Sequence, residues 1–223
     1  MQPFDEQLAQ RIDEYIEQLF VPADPLLAAN LEASDAAGLP AIAVTANQGK
    51  FLYLLARICG ARRILEIGTL GGYSTTWLAR ALPPGGRLVT LEYSPLHAGI
   101  AEKNLAAAGL GDVVEIRVGD AAESLTAMLE ASEPPFDFIF LDADKTGYVK
   151  YLELTLQLSR PGTVIIADNI IRNGAVLDDS PTEDYDRGSK AYNAAVAAHP
   201  RLESIALPMF KEKIDGMAIS LVR

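Results

Sequence analysis

Asp142 and the pair Asp168–Asn169 each follow a short, almost wholly apolar run, FDFIFL and TVIIA. Carboxylates and an amide carbonyl are hard oxygen donors, and three of them converging would select a hard divalent cation such as Mg²⁺ or Ca²⁺. They converge if the two runs are neighbouring parallel strands, about 4.8 Å apart, with their carboxyl ends on one side of the sheet. The competing reading is two separate loop carboxylates, each with its own hydrogen bonds. A structural zinc site does not fit, since the single cysteine, Cys59, and the two histidines, His97 and His199, lie elsewhere. Lys145 follows Asp142 by three residues, at the mouth of the same site, where it could take a proton from a hydroxyl. An ion pair with Asp142 or Asp144 fits that spacing equally.

A second group surrounds the glycine-rich stretch ILEIGTLGGYS, residues 64–74. Gly68 would let the backbone approach a ligand, and Gly71–Gly72 would permit a tight turn. The stretch is not the dinucleotide fingerprint, because Leu70 occupies the second glycine position of G-x-G-x-x-G and crowds a pyrophosphate. Glu92 ends the next apolar run, where an acidic side chain can accept from both hydroxyls of a ribose; the alternative is a solvent-facing strand cap. Asp120, after the third run, can reach an adenine edge or a neighbouring amide. Glu66 sits inside an apolar run, where an acid is costly unless paired, and an ammonium group would suit it.

The elements that must position these residues are legible from periodicity. Apolar β-branched runs at 63–67, 88–92, 113–118, 136–141 and 163–167 alternate with helical patterns at 73–81, 95–108, 121–130 and 147–158. Such alternation predicts βαβ units and a parallel sheet with helices on both faces. The tail departs from it. A helix near 189–198 is followed by runs at 202–207 and 217–222 around a charged turn at 211–215, which predicts a hairpin and one antiparallel edge strand. The first 60 residues are helical at 4–20, 25–36 and 47–59, and Thr45 and Gln48 have capping-box spacing. The acidic segment 178–186 (DDSPTEDYD) reads as a solvated loop or as a lid.

Lys plus Arg number 19 against 30 Asp plus Glu, a formal charge of −11, which argues against a nucleic-acid partner. A lone cysteine excludes an internal disulfide; Cys59 ends an apolar helical run and is expected to be buried and inert. His97 and His199 fall in helix or helix-end patterns and read as surface residues. No run is long and apolar enough to span a bilayer, and the acidic start MQPFDEQLAQ has no signal core, so the expected location is cytoplasmic.

Together these residues resemble the metal-dependent O-methyltransferases, the family that includes catechol and caffeoyl-CoA O-methyltransferases and many bacterial relatives. The resemblance runs from about Thr45 to the C-terminus and is densest in VTANQGKFLYLL, ILEIGTLGGYS, FDFIFLDADKTGY and IIADNIIRNGAV. It implies an α/β fold, a Rossmann-like seven-stranded, mostly parallel sheet with helices on both faces and an antiparallel C-terminal strand. It implies one methyltransferase domain over 1–223, with the helices of 1–60 contributing to the substrate site and to homodimer contacts and 61–223 forming the core. Val44, Glu66, Gly68, Thr69, Ser74, Glu92 and Ala121 match the family's S-adenosylmethionine-contacting positions, with Asp120 adjacent. Asp142, Asp168 and Asn169 match its metal ligands, Mg²⁺ first and Ca²⁺ or Mn²⁺ as alternatives, and Lys145 matches its catalytic lysine. Asp142 thereby belongs to the cofactor, metal and catalytic sets at once. One departure stands out: around 208–211 there is no counterpart of the acid with which the catechol enzyme holds a substrate hydroxyl.

The implied reaction is methyl transfer to one hydroxyl of a small vicinal-dihydroxy aromatic. The cation chelates both oxygens, Lys145 accepts or shields the proton, and the oxygen attacks the sulfonium methyl in line. The substrate would lie against the N-terminal helices, the 178–186 loop and residues 209–213. Two other classes remain: an NAD-dependent oxidoreductase, since Glu92 suits any free ribose diol, and a catalytically silent ligand-binding domain.

Overall fold

Apolar residues alternate along the central strands with both sets buried, so helices must cover both faces of the sheet. The computed structural model describes residues 5–210 and 214–223 and bears this out. Positions 1–4 and 211–213 lie outside the described residues, and with them the expected helix start at Phe4 and part of the charged turn. The chain runs α1 (Glu6–Phe20), α2 (Pro25–Ala36), α3 (Ala46–Ile58), β1 (Arg63–Ile67), α4 (Tyr73–Ala81), β2 (Arg87–Glu92), α5 (Pro95–Ala107) and β3 (Val114–Val118). It continues through α6 (Ala121–Glu130), β4 (Phe136–Leu141), α7 (Tyr148–Gln157), β5 (Ser159–Ala167), α8 (Asp184–Ala198), β6 (Leu202–Phe210) and β7 (Ile214–Val222).

The seven strands order as β3-β2-β1-β4-β5-β7-β6. The first five are parallel, and β7 runs antiparallel to both β5 and β6. The expected antiparallel strand is therefore present but is not the edge. The hairpin inserts β7 beside β5 and leaves β6 outermost, because β7 is the strand with buried side chains along almost its whole length. One face of the sheet packs Leu65, Val89, Ile139 and Ile165 against α6, α7 and α8. The other packs Ile64, Leu88, Phe138 and Ile166 against α3 and α4.

Local chemistry sets the helix starts. Asp5, Asp24, Ser94 and Asp120 cap α1, α2, α5 and α6 through their side chains. Thr45 and Gln48 form the anticipated capping box on α3, with Gln48 N donating to Thr45 Oγ1 at 3.1 Å and Thr45 N to Gln48 Oε1 at 2.8 Å.

Several boundaries differ from the sequence expectation. The Ser159–Gly162 segment, turn-like in composition, extends β5 backward, with a register shift against β4 between Phe136 and Phe138. A 3-10 turn, Lys145–Gly147, precedes α7. Helix α8 starts at Asp184, so the acidic loop shrinks to 178–183. Cys59 is exposed, not buried: it caps α3 on the side facing away from the core. Phe138 is fully buried between strand neighbours, so Phe138→Ala should lower unfolding free energy by about 3–5 kcal/mol. Cys59→Ser should stay within about 0.5 kcal/mol of the parent. Urea unfolding measures both.

Candidate active site

Backbone hydrogen bonds align the strand ends. Gly68 N donates to Leu91 O at 2.9 Å, Asp142 N to Ile67 O at 2.9 Å and Asp168 N to Leu141 O at 3.0 Å. Gly68, Asp142 and Asp168 thus follow adjacent strands at the carboxyl edge of the sheet. Because Leu141 pairs with Ala167 in register, Asp142 and Asp168 emerge side by side. Asp168 is buried, and its Oδ1 accepts from Asn169 N at 2.7 Å. Burial, and after it the charge on Asp142, raise the Asp168 carboxyl from an ordinary 3.8 to about 7, while the Asn169 backbone N–H and the charge on Lys145 pull it down. Two carboxylates that disfavour each other's charge, with an amide beside them, are a donor set that a hard cation would relieve. Among the described residues no three His, Cys, Asp or Glu side chains form a metal-binding group. The set is two acids and one amide, which suits a cation that keeps water ligands, as Mg²⁺ does.

Lys145 is only 4% exposed. Its Nζ lies 3.0 Å from Asp142 Oδ1 and donates to the Tyr148 hydroxyl at 2.6 Å. That hydroxyl stands 3.0 and 3.1 Å from the carbonyls of Leu141 and Asp168, one of which takes its proton. Lys145 therefore pairs with Asp142 and not with Asp144, whose carboxylate receives the Tyr151 hydroxyl at 2.6 Å and Gly147 N at 3.1 Å. Gly188 of α8 passes so close to the Lys145 carbonyl that a Cβ there would stand 2.1 Å from it.

The glycine turn works differently from the expectation in one respect. At Gly68 the close approach is to the backbone of Asp142: a Cβ would meet its carbonyl oxygen at 2.0 Å, and φ is 99°. Gly72, at φ 81°, opens α4 as its N-cap residue. Leu70 is left-handed as well, at φ 50°, a conformation disfavoured for a branched side chain. Glu92 compensates by accepting Thr69 N at 3.1 Å and Leu70 N at 2.8 Å on Oε2, and Ser94 N at 2.9 Å on Oε1. His97 is not isolated on the surface; its Nδ1 lies 3.3 Å from Glu92 Oε1.

Glu66 is fully buried, and its partners are three hydroxyls: Ser74 and Thr90 at 2.7 Å, and Thr75. Thr90 in turn pairs with the Thr69 hydroxyl at 2.6 Å. Val44 is buried just before the capping box, in the core shared by α2, α3 and α4. Asp120 is exposed, and its Oδ1 caps α6 by accepting Glu123 N at 3.0 Å, with Ala121 opening the helix behind it. Glu66, Gly68, Thr69, Ser74 and Glu92 thus gather at the turn, and Asp142, Lys145, Asp168 and Asn169 beside it. No hydrogen bond among the described residues ties Val44, Asp120 or Ala121 to either group.

Four supporting residues escaped the sequence reading. Tyr148 carries Lys145. Asn30 and Asn104 both donate to the Gly71 carbonyl, at 3.0 and 2.9 Å. Asp215 accepts Asn169 Nδ2 at 3.3 Å, and Ile171 N, Arg172 N and Gly216 N at 3.0–3.1 Å. Tyr148 lies within the quoted LDADKTGY, a usable signal; a lone Asn in a helix gives none.

The buried acid makes stability depend on pH. Burial pushes the Glu66 carboxyl from 4.5 to about 7, with the Asp142 charge adding to the rise and the hydroxyls opposing it. The folded protein therefore holds this proton more tightly than the unfolded chain does. Its contribution is complete below pH 4.5 and is lost as pH rises through 7, a step on the order of 3 kcal/mol. Glu66→Gln should remove that slope. Urea midpoints of parent and variant compared between about pH 5 and 8 test it, and parallel curves would contradict it.

A protein-family profile described as O-methyltransferase matches residues 21–222. A catechol O-methyltransferase of Niastella koreensis is 49% identical over 218 residues, 97% of this chain and 99% of that protein. One of Mycobacterium tuberculosis is 47% identical over 213 residues, 95% of each. The crystal structure of the Bacillus cereus O-methyltransferase in complex with SAH matches with a TM-score of 0.96 at 46% identity, covering 98% of this chain and 100% of that one. A profile spanning almost the whole chain, joined to relatives near one-half identity, decides the family: the chain belongs to the O-methyltransferase family, as an S-adenosylmethionine-dependent enzyme.

Proposed function

We propose that the enzyme methylates one hydroxyl of a small, catechol-like vicinal-dihydroxy aromatic, and that residues 1–223 act as one catalytic unit in a cytoplasmic setting. A divalent cation, Mg²⁺ first and Ca²⁺ or Mn²⁺ as alternatives, would be held by Asp142, Asp168 and Asn169. The observation that carries this is the in-register end of β4 and β5, which sets those side chains beside the glycine turn. The names of the Niastella and Mycobacterium relatives support the acceptor class. An NAD-dependent oxidoreductase is disfavoured by Leu70 at the second glycine position.

In this reading Glu92 receives the ribose hydroxyls of S-adenosylmethionine, and Glu66 faces its amino group through Ser74. Val44, Gly68, Thr69, Asp120, Ala121 and Asp142 complete the cofactor contacts. When bound, the cation supplies Lewis acidity and a fixed direction to the two vicinal oxygens. Lys145, held by Asp142 and Tyr148, takes or shields the proton of the reacting hydroxyl. That oxygen's lone pair forms the O–CH₃ bond as the S–CH₃ bond breaks, leaving S-adenosylhomocysteine. Residues 178–183, exposed except for the half-buried Pro181, would cover the acceptor.

A second copy of the chain would cover α1, where Leu8, Ile12, Tyr15 and Leu19 recur on one face and are each at least 50% exposed. Sedimentation should find a homodimer in the parent and a monomer in Ile12→Asp; a monomeric parent would remove the dimer.

Methyl transfer from S-adenosylmethionine should occur to vicinal diphenols with Mg²⁺, and stop with chelator or when one hydroxyl is already methylated. Asp168→Ala should lose activity at an unchanged fold. Lys145→Ala should lower kcat by about 10²–10⁴-fold with little change in cofactor affinity. Full activity in chelator would remove the cation, and calorimetry showing NAD binding without S-adenosylmethionine binding would remove the whole reading.

A further inference from the structure

Asn169 carries an ambiguity that its neighbours must resolve. A side-chain amide ligates a hard cation through its oxygen only, yet its two ends are nearly equal in size, and a turn about the last bond exchanges them. Backbone geometry fixes where the group stands but not which end points inward. Asn169 is left-handed at φ 57°, its N–H donates to Asp168 Oδ1, and its carbonyl accepts the Ser189 hydroxyl at 3.1 Å. None of these contacts the amide.

Among the described residues the amide's hydrogen bond is with Asp215, 46 residues away at the start of β7, itself 6% exposed. A carboxylate only accepts, so the end of Asn169 that meets Asp215 Oδ2 has to be Nδ2. The other oxygen of Asp215 is occupied separately, by the N–H groups of Ile171, Arg172 and Gly216. One carboxylate thus anchors the loop that follows β5 with Oδ1 and sets the amide with Oδ2.

We infer that Asp215 is a positioning residue that orients the Asn169 amide with Oδ1 toward the cation; this rests on the reading of Asn169 as a metal ligand given above. The division of labour between the two oxygens supplies a test. In Asp215→Asn the new amide keeps its oxygen on the three backbone N–H groups and presents its NH₂ to Asn169. Two NH₂ groups cannot pair, so Asn169 turns over and directs Nδ2, which cannot ligate, toward the cation. Exchanging the two residues, Asn169→Asp with Asp215→Asn, restores a donor–acceptor pair and leaves a carboxylate oxygen for the cation at the same total charge.

Mn²⁺ affinity is measured by the electron paramagnetic resonance signal of the free ion, with the melting temperature followed alongside. Relative to the parent, Asp215→Asn should weaken Mn²⁺ binding by about 10–100-fold, the usual scale for an outer partner of a ligand. The double variant should recover to within about threefold by the same scale. A single variant that binds Mn²⁺ like the parent overturns the inference. So does a double variant as weak as the single one, since Asp215 would then act through the loop and not through the amide. A parent that binds no Mn²⁺ removes the metal reading itself, and the inference with it.

Discussion

Parallel strands can bring distant residues together only if their ends are level, and here that level is set by a ladder of backbone hydrogen bonds. Gly68, Asp142 and Asp168 each donate an N–H to the neighbouring strand just as pairing ends. The site side chains inherit their spacing from this ladder. Gly68 shows how tight it is, since no side chain at that position could coexist with the Asp142 carbonyl. A one-residue slip between β4 and β5 would send Asp168 to the opposite face and take the acid pair apart.

The ladder concentrates ionisable groups at a covered edge, which is costly without partners. Each group answers this differently. Glu66 has hydroxyls, which can donate to a carboxylate or accept from a carboxylic acid, so it is satisfied in either protonation state. Glu92 has fixed backbone N–H donors, and through them it also stabilises the left-handed Leu70. Lys145 has a carboxylate and a phenol, and Tyr148, its hydroxyl buried and its own proton held well above the ordinary range, serves as a neutral support.

What the sequence made legible were features decided within a few residues. Apolar runs ended by acids marked the positions of Glu92, Asp142 and Asp168, and the run into GTLGG marked the glycine turn. Thr45 and Gln48 announced a helix start by spacing alone. What stayed hidden was decided across the fold. Asp215 meets Asn169 from 46 residues away, and in sequence it was one more charge in a charged turn. Cys59 ended an apolar run, but its helix face is set by packing against α4, which periodicity over a few residues did not resolve. The place of β7 inside the sheet depended on which hairpin strand had more to bury, a comparison that the tail's short runs could not make.

Helix α2 stands directly on the glycine turn. Asn30 donates to the Gly71 carbonyl, shared with Asn104 of α5, and the Ser34 side chain fills the space a Cβ at Gly71 would need. Helix α2 is thus a structural part of the glycine turn. For anyone building chimeras to change acceptor choice, this sets where the seam can fall. A graft of the first 60 residues has to carry Asn30 and Ser34 in register with Gly71 and Asn104, so the N-terminal helices and the rest of the chain are exchangeable only as matched sets.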